Sequence, residues 1–273
     1  IGWPVSHSLS PILHNYWLEL HNIDGAYIPL PTVKAHLGNM IHSLVMLGFA
    51  GANVTIPHKE AAFKLVNEVT EQAKRVKAVN TLKILGNGKI VGDNTDSFGF
   101  VQNLNNSCKT WRKPHRPAVI VGAGGAARSV IIGLQDSGIT NIRIVNRTIS
   151  RARSVAKIFG NSINVFPWAQ RQEILENAGI LINTTALGMT SNPPLDLNLK
   201  ILPRDAVVTD IVYSPIVTPL LKSALRRGNT VVDGLGMLIY QALPGFTAWY
   251  NVEPKVTKEL RQRLLEFKRG SDE

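Results

Sequence analysis

Apolar residues follow two different rhythms along this chain. From Pro117 onward, short apolar runs and longer amphipathic stretches take turns. PAVIV predicts a buried strand, GAGGAA a glycine turn, RSVIIGLQDSG a helix closed by Gly138, and IRIVN the next strand. The rhythm continues through NVF, a helix around residues 172–177, ILIN, AVVTDIV, the helix PLLKSALRRG and TVVDG. Strands joined by helices must run parallel, so this part predicts a doubly wound sheet. Two helical patterns, over residues 237–250 and 254–268, finish the chain.

Residues 10–106 are less regular. SPILHNYWLELH predicts a helix capped by Ser10 with Pro11 at its first position, AYIPL a strand, and residues 33–47 another helix. GFAGANVTI returns to strand, Pro57 sets the next turn, and Lys59 stands just inside a helix start. VNTLKIL and KIVGDN predict a hairpin across Gly86-Asn87-Gly88. The expected class is α/β, with two αβα domains, a mixed sheet in the first and a doubly wound sheet in the second. A chain of 273 residues is long enough for both.

Composition narrows the setting. Hydrophobic residues make up 44% and no apolar run reaches the length of a membrane span. Cys108 is the only cysteine, which excludes an intrachain disulfide and a thiolate metal site and fits the cytoplasm. The seven histidines show no ligand spacing, so no metal is expected. Ile1-Gly2 reads as the tail of a strand, so a segment upstream of Ile1 is expected. The net charge of +11 is concentrated in residues 97–236, where sixteen basic residues face seven acidic ones. KTWRKPHR reads as a solvated linker. The rest of the excess suits a polyanionic ligand, and with no nucleic-acid-binding pattern beside it, a phosphorylated cofactor is favoured over nucleic acid.

GAGGAA gives that cofactor a place. Gly122 permits the tight turn, Gly124 lets the backbone approach a pyrophosphate, and Ala127 allows close helix packing. The helix N-terminus offers N–H groups to the anion. An NAD-binding fold presents an acid at the end of its second strand, and here Asn146 replaces it, with Arg147, Thr148 and Arg151 nearby. A 2′-phosphate would meet donors and positive charge there, which points to NADP.

Three polar constellations lie in the first part of the chain: SHSLSP, NVTIPHKE, and AVNT with GDNTDSFG. Taken singly, such residues are common in turns and caps. Their order resembles the shikimate dehydrogenase family: GxPxxHSxSPxxHN at 2–15, NVTxPxKE at 53–60, AVNT at 78–81, GDNTD at 92–96, GAGGAAR, NRT at 146–148, NTTxxGM at 183–189, DIVYxP at 210–215 and DGLGMLIxQA at 233–242. The resemblance implies reversible NADPH-dependent reduction of 3-dehydroshikimate to shikimate in aromatic amino-acid (chorismate) biosynthesis, by a monomer or homodimer. It implies a substrate domain of residues 1–96 plus 237–273 and an NADP-binding Rossmann domain of residues 97–236. By motif, Ser8 and Ser10 would hold the substrate carboxylate, helped by Tyr213. Thr55, Asn80, Asp96 and Gln241 would bind ring hydroxyls. Gly122, Ala123, Gly124, Gly125, Ala126, Thr184, Gly234 and Met237 would join Asn146, Arg147, Thr148 and Arg151 at the cofactor. Trp3 and His58 depart from the common pattern, which has Asn and Phe there.

Reducing a ketone requires a hydride at carbon and a proton at oxygen, and a dinucleotide supplies only the hydride. Lys59 beside Asp96 is the expected proton carrier. Two rivals share most of these motifs: a quinate or shikimate dehydrogenase that prefers NAD, and a dinucleotide-sensing protein without turnover.

Overall fold

In a computed structural model, which describes residues 1–272, the chain forms two compact units. Ile1–Thr95 join the chain from Leu238 onward in the first, and Asp96–Met237 make the second. None of the described helices is long and apolar enough to cross a membrane.

The first unit holds a four-stranded sheet of β1 (Gly51–Asn53), β2 (Glu68–Val69), β3 (Thr81–Ile84) and β4 (Ile90–Asp93), in the order β1-β3-β4-β2. β3 pairs antiparallel with β1 and with β4, forming the expected hairpin, while β2 lies parallel to β4. Around it are α1 (Ser10–Leu20), α2 (Leu37–Met46), α3 (Lys59–Leu65) and α4 (Glu71–Val76). Leu37, Ile41, Leu44, Val54, Ala62 and Leu82 share one apolar cluster in this unit.

Three local readings need correction. Ser10 is the first residue of α1 rather than its cap; Leu9 takes the cap position, and Ser8 Oγ accepts the Ser10 N–H at 3.2 Å. AYIPL forms no strand. Pro29 and Pro31 bring no N–H to a ladder, and only a Gly2–Pro31 bridge remains. Asn15 takes over instead, donating to Tyr27 O at 3.0 Å and accepting from Tyr27 N at 2.7 Å. Finally, β2 and α4 arise where no element was expected; Thr70 caps α4 by accepting from Ala73 N at 3.2 Å.

The second unit begins with α5 (Asp96–Ser107) and continues as β5 (Ala118–Val121), α6 (Gly125–Asp136), β6 (Ile142–Val145), α7 (Ile149–Phe159), β7 (Ile163–Phe166), β8 (Ile180–Asn183), β9 (Val207–Asp210), α8 (Pro219–Arg226) and β10 (Thr230–Val232). The six strands are all parallel, in the order β10-β9-β8-β5-β6-β7. This is the doubly wound dinucleotide-binding order, with its switch point between β5 and β8. The unbroken apolar runs follow from helices covering both faces. Ile120, Ile144 and Ile182 enter one buried cluster, while Val119, Val121 and Leu181 of the same strands enter the other.

The helix expected at 172–177 is replaced by two single 3₁₀ turns, Trp168–Gln170 and Glu173–Leu175. Arg143 Nη1 occupies the Ile174 and Glu176 carbonyls at 2.8 and 2.7 Å, which diverts acceptors a longer helix would use. α9 (Gly234–Tyr250) starts three residues before the expected 237, so Gly234 lies in a helix. α10 (Lys258–Asp272) closes the chain.

Candidate active site

In the first unit the polar motifs converge on Asn80, just ahead of β3. Its buried Oδ1 accepts from Thr95 N at 2.9 Å and Thr81 Oγ1 at 3.0 Å, and its Nδ2 donates to Thr95 Oγ1 at 3.0 Å and Gln241 Oε1 at 3.2 Å. These partners dictate which way the amide points. Its backbone is equally committed: Asn80 O accepts from Val54 N at 2.8 Å and from Asn53 Nδ2 at 3.3 Å. Val79 N donates to Lys59 O at 2.9 Å, so the first residue of α3 lies beside the residue preceding Asn80. His58 steadies that turn through a 2.6 Å bond between its Nε2 and Thr32 O. Thr55, exposed at the same turn, donates its N–H to Ile1 O at 2.9 Å.

Tyr27 links the serine motif to this cluster. Its hydroxyl donates to Asn53 Oδ1 at 2.8 Å; burial pushes the phenol above its ordinary range, and the Ser10 side chain opposes that shift. Ser8, Ser10, Thr55, Lys59, Asn80 and Gln241 therefore all belong to the first unit, while Asp96, Tyr213 and the proposed cofactor residues belong to the second. Sequence reasoning missed Tyr27, Asn53 and Thr95. The last two lay inside quoted motifs; Tyr27 stands alone between glycine and prolines and carried no signal.

In the second unit, Gly122 (φ +113°) follows β5, and a Cβ there would fall 2.5 Å from Thr184 Oγ1. Both the N–H and the hydroxyl of Thr184 donate to Val121 O at 2.8 Å, which holds the end of β8 against the end of β5. Gly124 and Gly125 differ: a Cβ at either would meet nothing within 4 Å. Packing does not require glycine there, and the open space lies at the first turn of α6, whose cap residue Gly124 has no side chain to offer. That is the room and the N–H array a pyrophosphate needs.

At the end of β6, Asn146 Nδ2 donates to Thr148 O at 2.8 Å, shaping the turn. Arg147, Thr148 and Arg151 are exposed, and Thr148 caps α7 in position without a side-chain cap bond. Residues 146–153 contain no acid, and among the described residues neither arginine pairs with a carboxylate. These groups fit a 2′-phosphate. Gly234 has a packing role, since a Cβ there would lie 2.4 Å from Ile211 O. Asp96 opens α5 as a buried residue, and burial raises the pKa of the Tyr213 phenol.

Residues 1–82 match the family model for the shikimate dehydrogenase substrate binding domain, and residues 109–191 that for shikimate / quinate 5-dehydrogenase. The shikimate dehydrogenase (NADP(+)) of Paramagnetospirillum magneticum is 51% identical over 97% of this chain and 96% of its own. The chain belongs to the shikimate dehydrogenase family. A further shikimate dehydrogenase, from Rhodospirillum rubrum, is 48% identical over 97% of this chain and 95% of its own. Among solved structures, the shikimate 5-dehydrogenase of Thermus thermophilus in complex with NADP(H) and shikimate has a TM-score of 0.85 at 32% identity, covering 99% of this chain and 97% of that one. The quinate dehydrogenase of Corynebacterium glutamicum in complex with NAD reaches 0.89 at 29% identity, covering 97% and 96%.

Proposed function

We propose that this chain catalyses the reversible NADPH-dependent reduction of 3-dehydroshikimate to shikimate, a step of chorismate biosynthesis, with Lys59 and Asp96 at the reacting oxygen. The observation that carries this reading is the hydrogen-bonded cluster of Asn80, Thr95 and Gln241, with Lys59 fixed beside it through Val79, in a chain of this family. A ring carrying several hydroxyls needs donors and acceptors whose directions are set before it arrives, and this cluster holds such groups in fixed directions, engaged with one another until a hydroxyl displaces one.

NADPH, when bound, supplies the hydride. Gly122 to Ala126 would receive its pyrophosphate, and Arg147, Thr148 and Arg151 its 2′-phosphate; Thr184 closes the switch point, and Asn146, Gly234 and Met237 contribute through the segments they shape. Lys59 holds and delivers the proton to the carbonyl oxygen, a contribution of ~10²- to 10⁴-fold. Ser8 and Ser10 receive the substrate carboxylate with Tyr213, while Thr55, Asn80 and Gln241 address the ring hydroxyls. The setting is cytoplasmic, and the active species a monomer or homodimer.

The NAD-dependent quinate dehydrogenase among the structural neighbours motivates a second reading. Against it stands the acid-free turn at 146–151 with its two arginines. Initial rates followed at the NADPH absorbance band decide between them, with shikimate or quinate paired with NADP or NAD. Shikimate with NADP should be fastest; quinate with NAD as the preferred pair would overturn the proposal.

A further inference from the structure

Asp210 is the last residue of β9, 1% exposed, and no motif role reaches it. Three segments converge on its carboxylate. Asn183 Nδ2, at the end of β8, donates to Oδ1 at 3.0 Å; Val212 N donates to the same oxygen at 3.0 Å; Thr218 Oγ1, at the cap of α8, donates to Oδ2 at 2.7 Å. Asn183 in turn shapes the Thr184 turn, accepting from Thr185 N at 3.0 Å and Thr185 Oγ1 at 2.7 Å and donating to Leu187 O at 3.0 Å. The Val212 bond fixes the backbone one residue before Tyr213. A second tie joins the same stretches, with Thr190 N donating to Ser214 O at 2.7 Å.

We propose that Asp210 is a positioning residue for substrate recognition: it fixes the segment carrying Tyr213 against the turn carrying Thr184, so that the phenol is in place for the substrate carboxylate. This rests on the reading of Tyr213 given above. The chemistry of the site calls for a carboxylate. Two donors share Oδ1 and a third uses Oδ2, whereas an asparagine would turn an NH₂ group toward one of them. Keeping an acid here is also costly, because burial raises its pKa to about 6 while its three hydrogen bonds oppose the rise. A helix cap alone would not need it, since Thr218 Oγ1 already accepts from Leu221 N at 3.3 Å.

The test is a double-mutant cycle on KM for shikimate, with NADP saturating and the fold monitored by thermal melting. Asp210→Asn and Tyr213→Phe should each raise KM, by ~10-fold if about 1.4 kcal/mol of carboxylate binding is lost, and the double variant should be no worse than the worse single one. A purely structural Asp210 would lower the melting temperature and leave KM unchanged, or its effect would multiply with that of Tyr213→Phe; either result overturns the inference and leaves the Tyr213 reading standing. An unchanged KM in Tyr213→Phe alone would remove that reading and the inference with it. If Asp210→Asn does not fold, Thr218→Val, which deletes one of the three bonds, should raise KM in the same direction by less; no rise counts against the proposal.

Discussion

The two units put their polar chemistry in opposite parts of a sheet. In the first, Asn53, Thr81 and Asp93 stand in one row across β1, β3 and β4, and Asn80 lies immediately beside it. In the second, β5 is wholly buried and apolar, and the proposed site groups lie past strand ends: Gly122 after β5, Asn146 after β6, Thr184 after β8 and Tyr213 after β9. Recognition built into a sheet ties fold and function together. Recognition carried on loops lets one change while the other is kept.

The largest test of this contrast uses pH. In the first unit His14 is 1% exposed, and burial lowers its pKa to about 3 while the Asn53 side chain opposes the shift. A folded pKa below the unfolded value gives stability that is present above pH ~6.5 and lost as pH falls through about 3, amounting to roughly 5 kcal/mol. His14→Phe should flatten that acid-side loss, seen in denaturant unfolding repeated between pH 7 and pH 4; an unchanged slope would refute it. Asp210 should act in the opposite sense in the second unit. Its folded pKa is raised, so its contribution is full below pH ~4 and lost as pH rises through about 6, by roughly 3 kcal/mol. Hydrogen exchange on the whole protein between pH 6 and pH 4 should show relative weakening around α1 and relative strengthening around β8 and β9, the latter absent in Asp210→Asn.

Asn80→Ala tests the coupling of fold and function directly. It strands Thr95 N in a buried site and removes one partner of Thr81 Oγ1, which keeps Asn53 Nδ2; this should cost roughly 3 kcal/mol in denaturant unfolding and weaken shikimate binding in the same variant. Normal stability with impaired binding would break the contrast. Lys59→Ala should lower turnover by ~10²-fold or more and leave NADPH affinity almost unchanged; near wild-type turnover would remove the proton-carrier role. The smallest effect belongs to the loops. Arg147→Ala combined with Thr148→Asp should shift the ratio of kcat/KM for NADP over NAD by ~10-fold or more without moving the melting temperature, because these side chains are exposed.

The second unit was the more legible in sequence because its strands are covered on both faces and read as unbroken apolar runs. Where reading failed there, as at 172–177, a distant side chain was responsible: Arg143 captures carbonyls some thirty residues away. In the first unit β1 and the β3–β4 hairpin fall where strands were expected, while β2, two residues long and too short for alternation to register, went unseen together with α4. Most proposed site residues could be named from motifs, but the bonds that orient them could not. Tyr27 to Asn53 and Thr95 to Gln241 join residues far apart in the chain, and no local pattern encodes them.

If Asn80 addresses a ring hydroxyl as proposed, its saturation turns ligand recognition into a competition. A ring hydroxyl seeking its Nδ2 meets a donor already engaged by Gln241 and Thr95, and must displace one of them. Capture is then an exchange of partners with little net gain in bond count. A molecule without that hydroxyl leaves the internal bond intact and forfeits little, whereas one bringing an apolar group to the same point breaks the bond and returns nothing. On that reading, selectivity at Asn80 would come from rejecting misplaced apolar groups more than from holding the right hydroxyl.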